Sequence, residues 1–156
     1  PYGVDMGGDL KTIYAIACGI ADGLNSGENT IGMIMTRGLG EMSRLATDLG
    51  ANPQTFLGLA GVGDLITTCA SPLSRNHQFG KYIGEGLSVE EAKKKIGQTI
   101  EGLKTLKVVK NISDKHGVEM PIVDSLYKII YKGTNLDGSI QNVLGQDMIK
   151  DVEFIK

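Results

Sequence analysis

Three neighbouring residues, Ser74, Arg75 and Asn76 in "SPLSRNHQFG", put a hydroxyl, a guanidinium and a carboxamide where a helix begins. The first turn of a helix leaves backbone N–H groups without partners and carries the positive end of the helix dipole, so it favours an anion. Arginine adds a planar fork that meets phosphate oxygens two at a time. Two or three charge-assisted contacts of roughly 1.5–3 kcal/mol each would hold a phosphomonoester. The same residues also suit a plainer arrangement, with Ser74 capping the helix and Arg75 in water.

A group able to move a proton stands elsewhere in the chain. Lys11 lies beside the apolar residue Leu10 in "GGDLKTIYAIACG". A lysine desolvated by packing gives up its proton more readily than one in water and can then serve as acid or base. The alternative is a lysine whose stem lies along a helix edge with its ammonium in solvent. Asp64, in "GLAGVGDLITTC", is flanked by glycine and apolar residues. A charge in that setting is paired, caps a helix or does chemistry, and it could orient an amine. Glu101, in "GQTIEG", suits the first turn of a helix, where its charge meets the dipole favourably.

The elements that would position these groups read as helices. Leu10, Ile13, Ala17, Ile20, Ala21 and Leu24 recur at helical spacing, with small residues between them that admit a second helix closely. Ile31, Ile34, Gly38, Met42, Leu45, Ala46 and Leu49 form another stripe, ended by Gly50. Arg37 and Glu41 stand four apart on it and read as a surface pair. Asn52 and Pro53 open a short helix, and "GVGDLITTCA" reads as a buried one. Ser88 and Glu91 form a capping box, with Glu90–Lys94 and Glu91–Lys95 pairs on the outer face. Leu103, Leu106, Val109 and Ile112 make a stripe that stops at Gly117; Pro121 opens a further helix that stops at Gly133, and Asp137 caps a last short one. No alternating strand pattern, repeat or linker is present. The expectation is one all-α domain over residues 1–156, with roughly eight or nine helices.

Composition narrows the function classes. The chain of 156 residues is 41% hydrophobic and 22% charged with a net charge of −2, so no global field draws nucleic acid or an acidic membrane. No apolar run is long enough to span a bilayer. Cys18 and Cys69 each sit among apolar or small residues and read as buried reduced thiols of a cytoplasmic protein. His77 and His116 lack partners at metal-ligand spacing, so no metal site is expected. Glycine is abundant, 22 of 156 residues, about twice the usual ~7%, and the glycines fall at helix ends and inside apolar stripes, as close helix contacts would require. The chain starts at Pro1, so targeting segments are not judged from it.

Seven segments in order, "DLKTIYAIACGIADGL", "GENT", "TRGLGEM", "GLAGVGDLITTC", "SPLSRN", "GQTIEG" and "GVEMPI", carry a resemblance. From about Val4 to Gly145 the chain resembles the C-terminal, substrate-binding domain of bacterial-type NAD(P)-dependent glycerol-3-phosphate dehydrogenase. The resemblance implies an oxidoreductase of glycerophospholipid synthesis that interconverts sn-glycerol 3-phosphate and dihydroxyacetone phosphate. It also implies a helical domain like that of 6-phosphogluconate dehydrogenase, following a Rossmann domain. No G-x-G-x-x-G after a strand is present, so the chain reads as a fragment that binds little of the NAD or NADP and is inactive alone. A homodimer without membrane insertion or nucleic-acid binding is implied.

The resemblance assigns roles residue by residue. Lys11 in "GGDLK" takes the proton donor or acceptor position at the substrate C2 oxygen. Asp64 takes the position that binds the glycerol part, and Thr68 a position near the substrate. Ser74, Arg75 and Asn76 take the substrate-binding S-R-N, with Arg75 on the phosphate and near the cofactor. Thr99 and Glu101 take cofactor-touching positions. Two residues depart from the family pattern: Thr12 stands where asparagine is usual, and Asp9 where alanine is usual. Asp9 would hold the Lys11 proton if it faced the site, and would be harmless as an N-cap. The alternatives are a related hydroxy-acid dehydrogenase, although its lysine-x-x-asparagine pair is replaced here by Lys11 and Tyr14, and a helical interaction or dimerisation module.

Overall fold

The computed structural model of the chain describes residues 2–52, 54, 67, 69, 71–133 and 136, with side chains from Leu10 onward. The described residues form six helices: α1 (Tyr2–Gly23), α2 (Glu28–Asp48), α3 (Arg75–Gly84), α4 (Val89–Ile96), α5 (Glu101–His116) and α6 (Pro121–Tyr131). The expected helices at Pro53, across "GVGDLITTCA" and after Asp137 lie outside the described residues, although Asn52 Oδ1 does accept from the Gln54 N–H at 2.9 Å.

α1 is the axis of the domain. From Leu10 to Ala21 it is buried on nearly every side, Thr12 alone being partly exposed. A helix apolar all round belongs inside a core, not on a surface. α3 packs along it over most of its length, and α2 and α5 cover other sides.

The α1–α3 contact explains much of the glycine. A Cβ on Gly19 of α1 would lie 2.1 Å from the His77 carbonyl oxygen, and one on Gly80 of α3 would lie 2.1 Å from that of Ile16. Gly23 and Gly84 repeat the arrangement one turn on, so two glycines spaced by four on each helix let the backbones touch. No side chain intervenes to let the pair slide. The register of α3 against α1 is therefore set by backbone contact.

The other ends follow their sequence signals. Ser88 and Glu91 form the capping box, with Ser88 Oγ accepting from the Glu91 N–H at 3.1 Å and Glu91 Oε1 accepting from the Ser88 N–H at 2.9 Å. Pro121 occupies the first turn of α6. Gly117 closes α5 at φ 69°, a left-handed conformation that costs glycine nothing. On α4 the observed ion pair is Lys93–Glu90 at 3.9 Å, while Lys95 lies over the Tyr82 ring. Glu90 meets Lys93 in place of Lys94, and the Glu91–Lys95 pair gives way because the capping box has claimed Glu91 and the aromatic ring has claimed Lys95.

Two expectations are corrected. α1 starts at Tyr2, so Asp9 is inside the helix and not its N-cap, and Lys11 sits near the middle. Glu41 is not a surface residue: it is fully buried. Its position three after Gly38 puts it on the inward face of α2. There its carboxyl group accepts from the Tyr14 hydroxyl (3.0 Å), the Ile122 N–H (2.7 Å) and the Val123 N–H (3.4 Å). It thereby caps the buried start of α6, whose N-cap residue Met120 offers no side-chain bond. Burial pushes the carboxyl up to about 7 against the pull of those donors. Tyr14 is raised well above its usual value by its own burial and by Glu41 beside it.

Candidate functional site

Ser74 is the N-cap of α3, extended at φ −67° and ψ 130°, with its Oγ accepting from the His77 N–H at 3.4 Å. The cap uses an oxygen lone pair, and the hydroxyl proton remains available to a ligand. Arg75, the first residue of the helix, is exposed, and its guanidinium donates to Gln98 Oε1 at 2.7 Å. That bond reaches across 23 residues and holds the fork at the edge of the helix start.

Asn76 does different work from its neighbours. Its Oδ1 accepts from the Gly102 N–H at 2.9 Å, so α3 caps α5. What the amide can still offer a ligand is N–H. Together, Arg75–Gln98 and Asn76–Gly102 pin both ends of the stretch Gln98–Gly102 against the start of α3. Thr99 and Glu101 stand exposed between those anchors. Arg75, Thr99 and Glu101 thus share one edge, which presents a cation, a hydroxyl and a carboxylate to solvent.

Gly102 joins this edge to α1. A Cβ there would lie 2.8 Å from Asn76 Oδ1, 2.9 Å from the Thr12 carbonyl oxygen and 2.7 Å from Ile16 Cδ1. Three helices meet at a point where any side chain would force them apart. The residue before Thr12 is Lys11. The α3 start and the α5 start therefore lie against the same turn of α1 that bears the lysine.

Lys11 is buried, at 7% exposure. It stands eleven residues before Asp22, three helical turns with a drift of only about 20°, so the two share a side of α1 with Cys18. Cys69 rests on that side: its Sγ lies 4.0 Å from the Lys11 carbonyl oxygen, and it bonds the Cys18 thiol. Both thiols are buried and neither is in a disulfide. The bond to Cys69, with burial, pushes the Cys18 thiol far up and keeps it protonated.

Asp64 and Thr68 lie outside the described residues, as does the side chain of Asp9. Ser74, Arg75, Asn76, Thr99 and Glu101 belong to the starts of α3 and α5, which meet at Gly102 beside the Thr12 carbonyl; Lys11 is the residue before Thr12 on α1, on the side that carries Cys69. Sequence reading missed Gln98 and Gly102, which orient that junction. Their signal was present in "GQTIEG", where a glycine follows the first-turn Glu101 at a helix start. His77 was also missed, since its spacing from Ser74 reads only as a capped N–H. Among the described residues, no three His, Cys, Asp or Glu side chains are grouped to hold a metal, and no helix is long and apolar enough to cross a membrane.

Among the described residues the fold is all-helical, with an exposed arginine at the start of α3 and a lysine buried on α1. The profile of the family described as NAD-dependent glycerol-3-phosphate dehydrogenase C-terminus matches residues 1–141, and the chain belongs to that family. A Pseudomonas aeruginosa glycerol-3-phosphate dehydrogenase (NAD(P)+) is 53% identical over 154 residues, 99% of this chain and 45% of that protein. The Alcanivorax borkumensis protein of the same name is 52% identical over 153 residues, 98% and 45% respectively. A crystal structure of glycerol-3-phosphate dehydrogenase from Coxiella burnetii superposes with a TM-score of 0.87 at 42% identity, covering 91% of this chain and 44% of that one. The Saccharomyces cerevisiae enzyme structure gives 0.80 at 30% identity, covering 91% and 42%. The chain thus spans a little under half the length of the relatives it matches.

Proposed function

We propose that the chain is the substrate-binding and proton-transfer half of an oxidoreductase that interconverts sn-glycerol 3-phosphate and dihydroxyacetone phosphate with NAD or NADP, in glycerophospholipid synthesis. The observation that supports this reading is the junction at Gly102, where the start of α3 and the start of α5 meet the Thr12 carbonyl, one residue after Lys11. The family relatives carry the same activity in their names.

Arg75 and the N–H groups at the start of α3 bind the phosphate, and the Ser74 hydroxyl donates a further bond. Fixing the remote phosphate places the C2 carbon, so binding energy is used for orientation. Lys11 takes the C2 hydroxyl proton in oxidation and returns it in reduction. Its burial excludes water from the transfer. Asp64 and Thr68, from the segment that leads into Cys69, contact the glycerol part of the substrate.

The donors and acceptors on the Arg75, Thr99 and Glu101 edge fit the polar parts of a dinucleotide, most of which a separate nucleotide-binding half would hold. When bound, the nicotinamide ring supplies the hydride acceptor or donor. The chain alone is expected to show no turnover. We further place the protein in the cytoplasm as a homodimer, which light scattering of the purified protein tests.

The test is Lys11→Ala in the protein that joins this chain to its nucleotide-binding half. General acid–base catalysis contributes about 10²–10⁴-fold, so kcat should fall by that range with the fold intact. A Lys11→Ala enzyme with unchanged kcat would end the assignment.

A further inference from the structure

We propose that His77 is a positioning residue for this reaction: its ring, strung between the Asp22 carboxylate of α1 and the Cys69 carbonyl, holds the Ser74–Asn76 turn and the Cys69 segment in place around Lys11. The proposal rests on the functional reading above and adds a residue to it.

The ring is almost wholly enclosed, its side chain 3% exposed. Nδ1 lies 2.8 Å from the Cys69 carbonyl oxygen, and Nε2 lies 3.1 Å from Asp22 Oδ2. The Cys69 carbonyl and the Asp22 carboxylate are both acceptors, so each ring nitrogen is aimed at a partner. Beside the pair stands Lys81 on α3, whose Nζ lies 4.0 Å from Asp22 Oδ2.

His77 is joined at its backbone to the site it positions. Its N–H is the one that Ser74 caps, and its carbonyl is the one that Gly19 approaches. Its ring carries the same constraint out to Cys69, whose thiol lies on the Lys11 carbonyl. One residue thus links the helix start that bears Arg75, the segment that follows Asp64 and Thr68, and the face of α1 that bears Lys11. The glycine contacts fix how α3 lies on α1, and His77 fixes how the Cys69 segment lies on both.

The experiment uses the enzyme with its nucleotide-binding half attached. His77→Ala should lower kcat for dihydroxyacetone phosphate reduction at least tenfold. Inhibition by inorganic phosphate should change less than threefold, because Arg75 and the α3 start remain. Asp22→Ala, made at a half-exposed side chain that the fold tolerates, should reproduce the loss. Asp22→Asn keeps an acceptor oxygen and should restore most of the rate, and Lys81→Ala should leave it unchanged. An unchanged kcat in Asp22→Ala overturns the proposal. Arg75→Ala separates the two levels: if it leaves phosphate inhibition unchanged, the functional reading itself fails, whatever the His77 variants do.

Discussion

Glu41 should make the protein lose stability as pH rises through the neutral range, and replacing it should remove that loss. The carboxyl has an ordinary value of 4.5 and is pushed up to about 7, burial being the largest cause. Between those values the folded state holds a proton that the unfolded chain has released, so the unfolding free energy falls by about 1.4 kcal/mol per pH unit. The contribution is favourable below the unfolded value and fully lost above the folded one. The total is about 3 kcal/mol, and about 2.5 kcal/mol of it falls between pH 5 and pH 8. That is a large share of the ~5–15 kcal/mol typical of a domain. Tyr14, the other buried acid in the cluster, is raised further and does not titrate in this window. The perturbation is Glu41→Gln, which keeps an acceptor oxygen for the start of α6 but has no proton to release. Urea unfolding of both proteins at the two pH values gives the comparison. The parent should lose about 2.5 kcal/mol more than the variant between them. An equal pH dependence in the two proteins would refute the reasoning.

Other changes test the architecture. Gly80→Ala drives a methyl into the Ile16 carbonyl at 2.1 Å; overpacking of this kind costs about 1–3 kcal/mol, so calorimetry should show Tm lower by about 2–10 °C, with weakened phosphate inhibition. Asn76→Ala removes the acceptor at Gly102 and should cost about 1 kcal/mol in a denaturant titration. Asn76→Asp keeps that acceptor, so stability should return, but its charge should raise KM for the phosphorylated substrate. Ser88→Ala breaks the capping box far from the junction and should cost about 1 kcal/mol with kcat unchanged.

The helical frame was legible wherever a local signal sufficed. The Ser88–Glu91 box, Pro121 at a first turn and Gly117 at a helix end depend only on neighbours in sequence, and they stand as the spacing predicts. The crowding of glycine also pointed correctly to close helix contacts, although which helices touch was not readable from one chain. Glu41 was misread because a glutamate four from an arginine is a surface signature. Its burial is decided by Tyr14 and by the unsatisfied start of α6, some eighty residues away. Of the two places open to Asp9, the N-cap is removed because the helix extends a further two turns upstream.

The candidate site divides the same way. Ser74 was readable as a cap from its side-chain chemistry, and that cap uses atoms other than those the proposed anion site needs from Ser74 and Arg75. Asn76 was grouped with them by sequence, but its carbonyl oxygen turns to α5. Gln98 and Gly102 lay within "GQTIEG", whereas His77 and Asp22 gave no distinctive local signal, since they meet each other across 55 residues.

The central claim is that the start of α3, the start of α5 and the Lys11 turn surround one phosphorylated substrate. Two-dimensional NMR of the protein titrated with glycerol 3-phosphate, with plain glycerol as control, tests it directly. The phosphate ester should shift the amides of Ser74–Asn76, Gln98–Gly102 and Lys11 together, with a single saturation curve, and glycerol should not. Saturable shifts that leave Arg75 and Lys11 untouched would contradict the account.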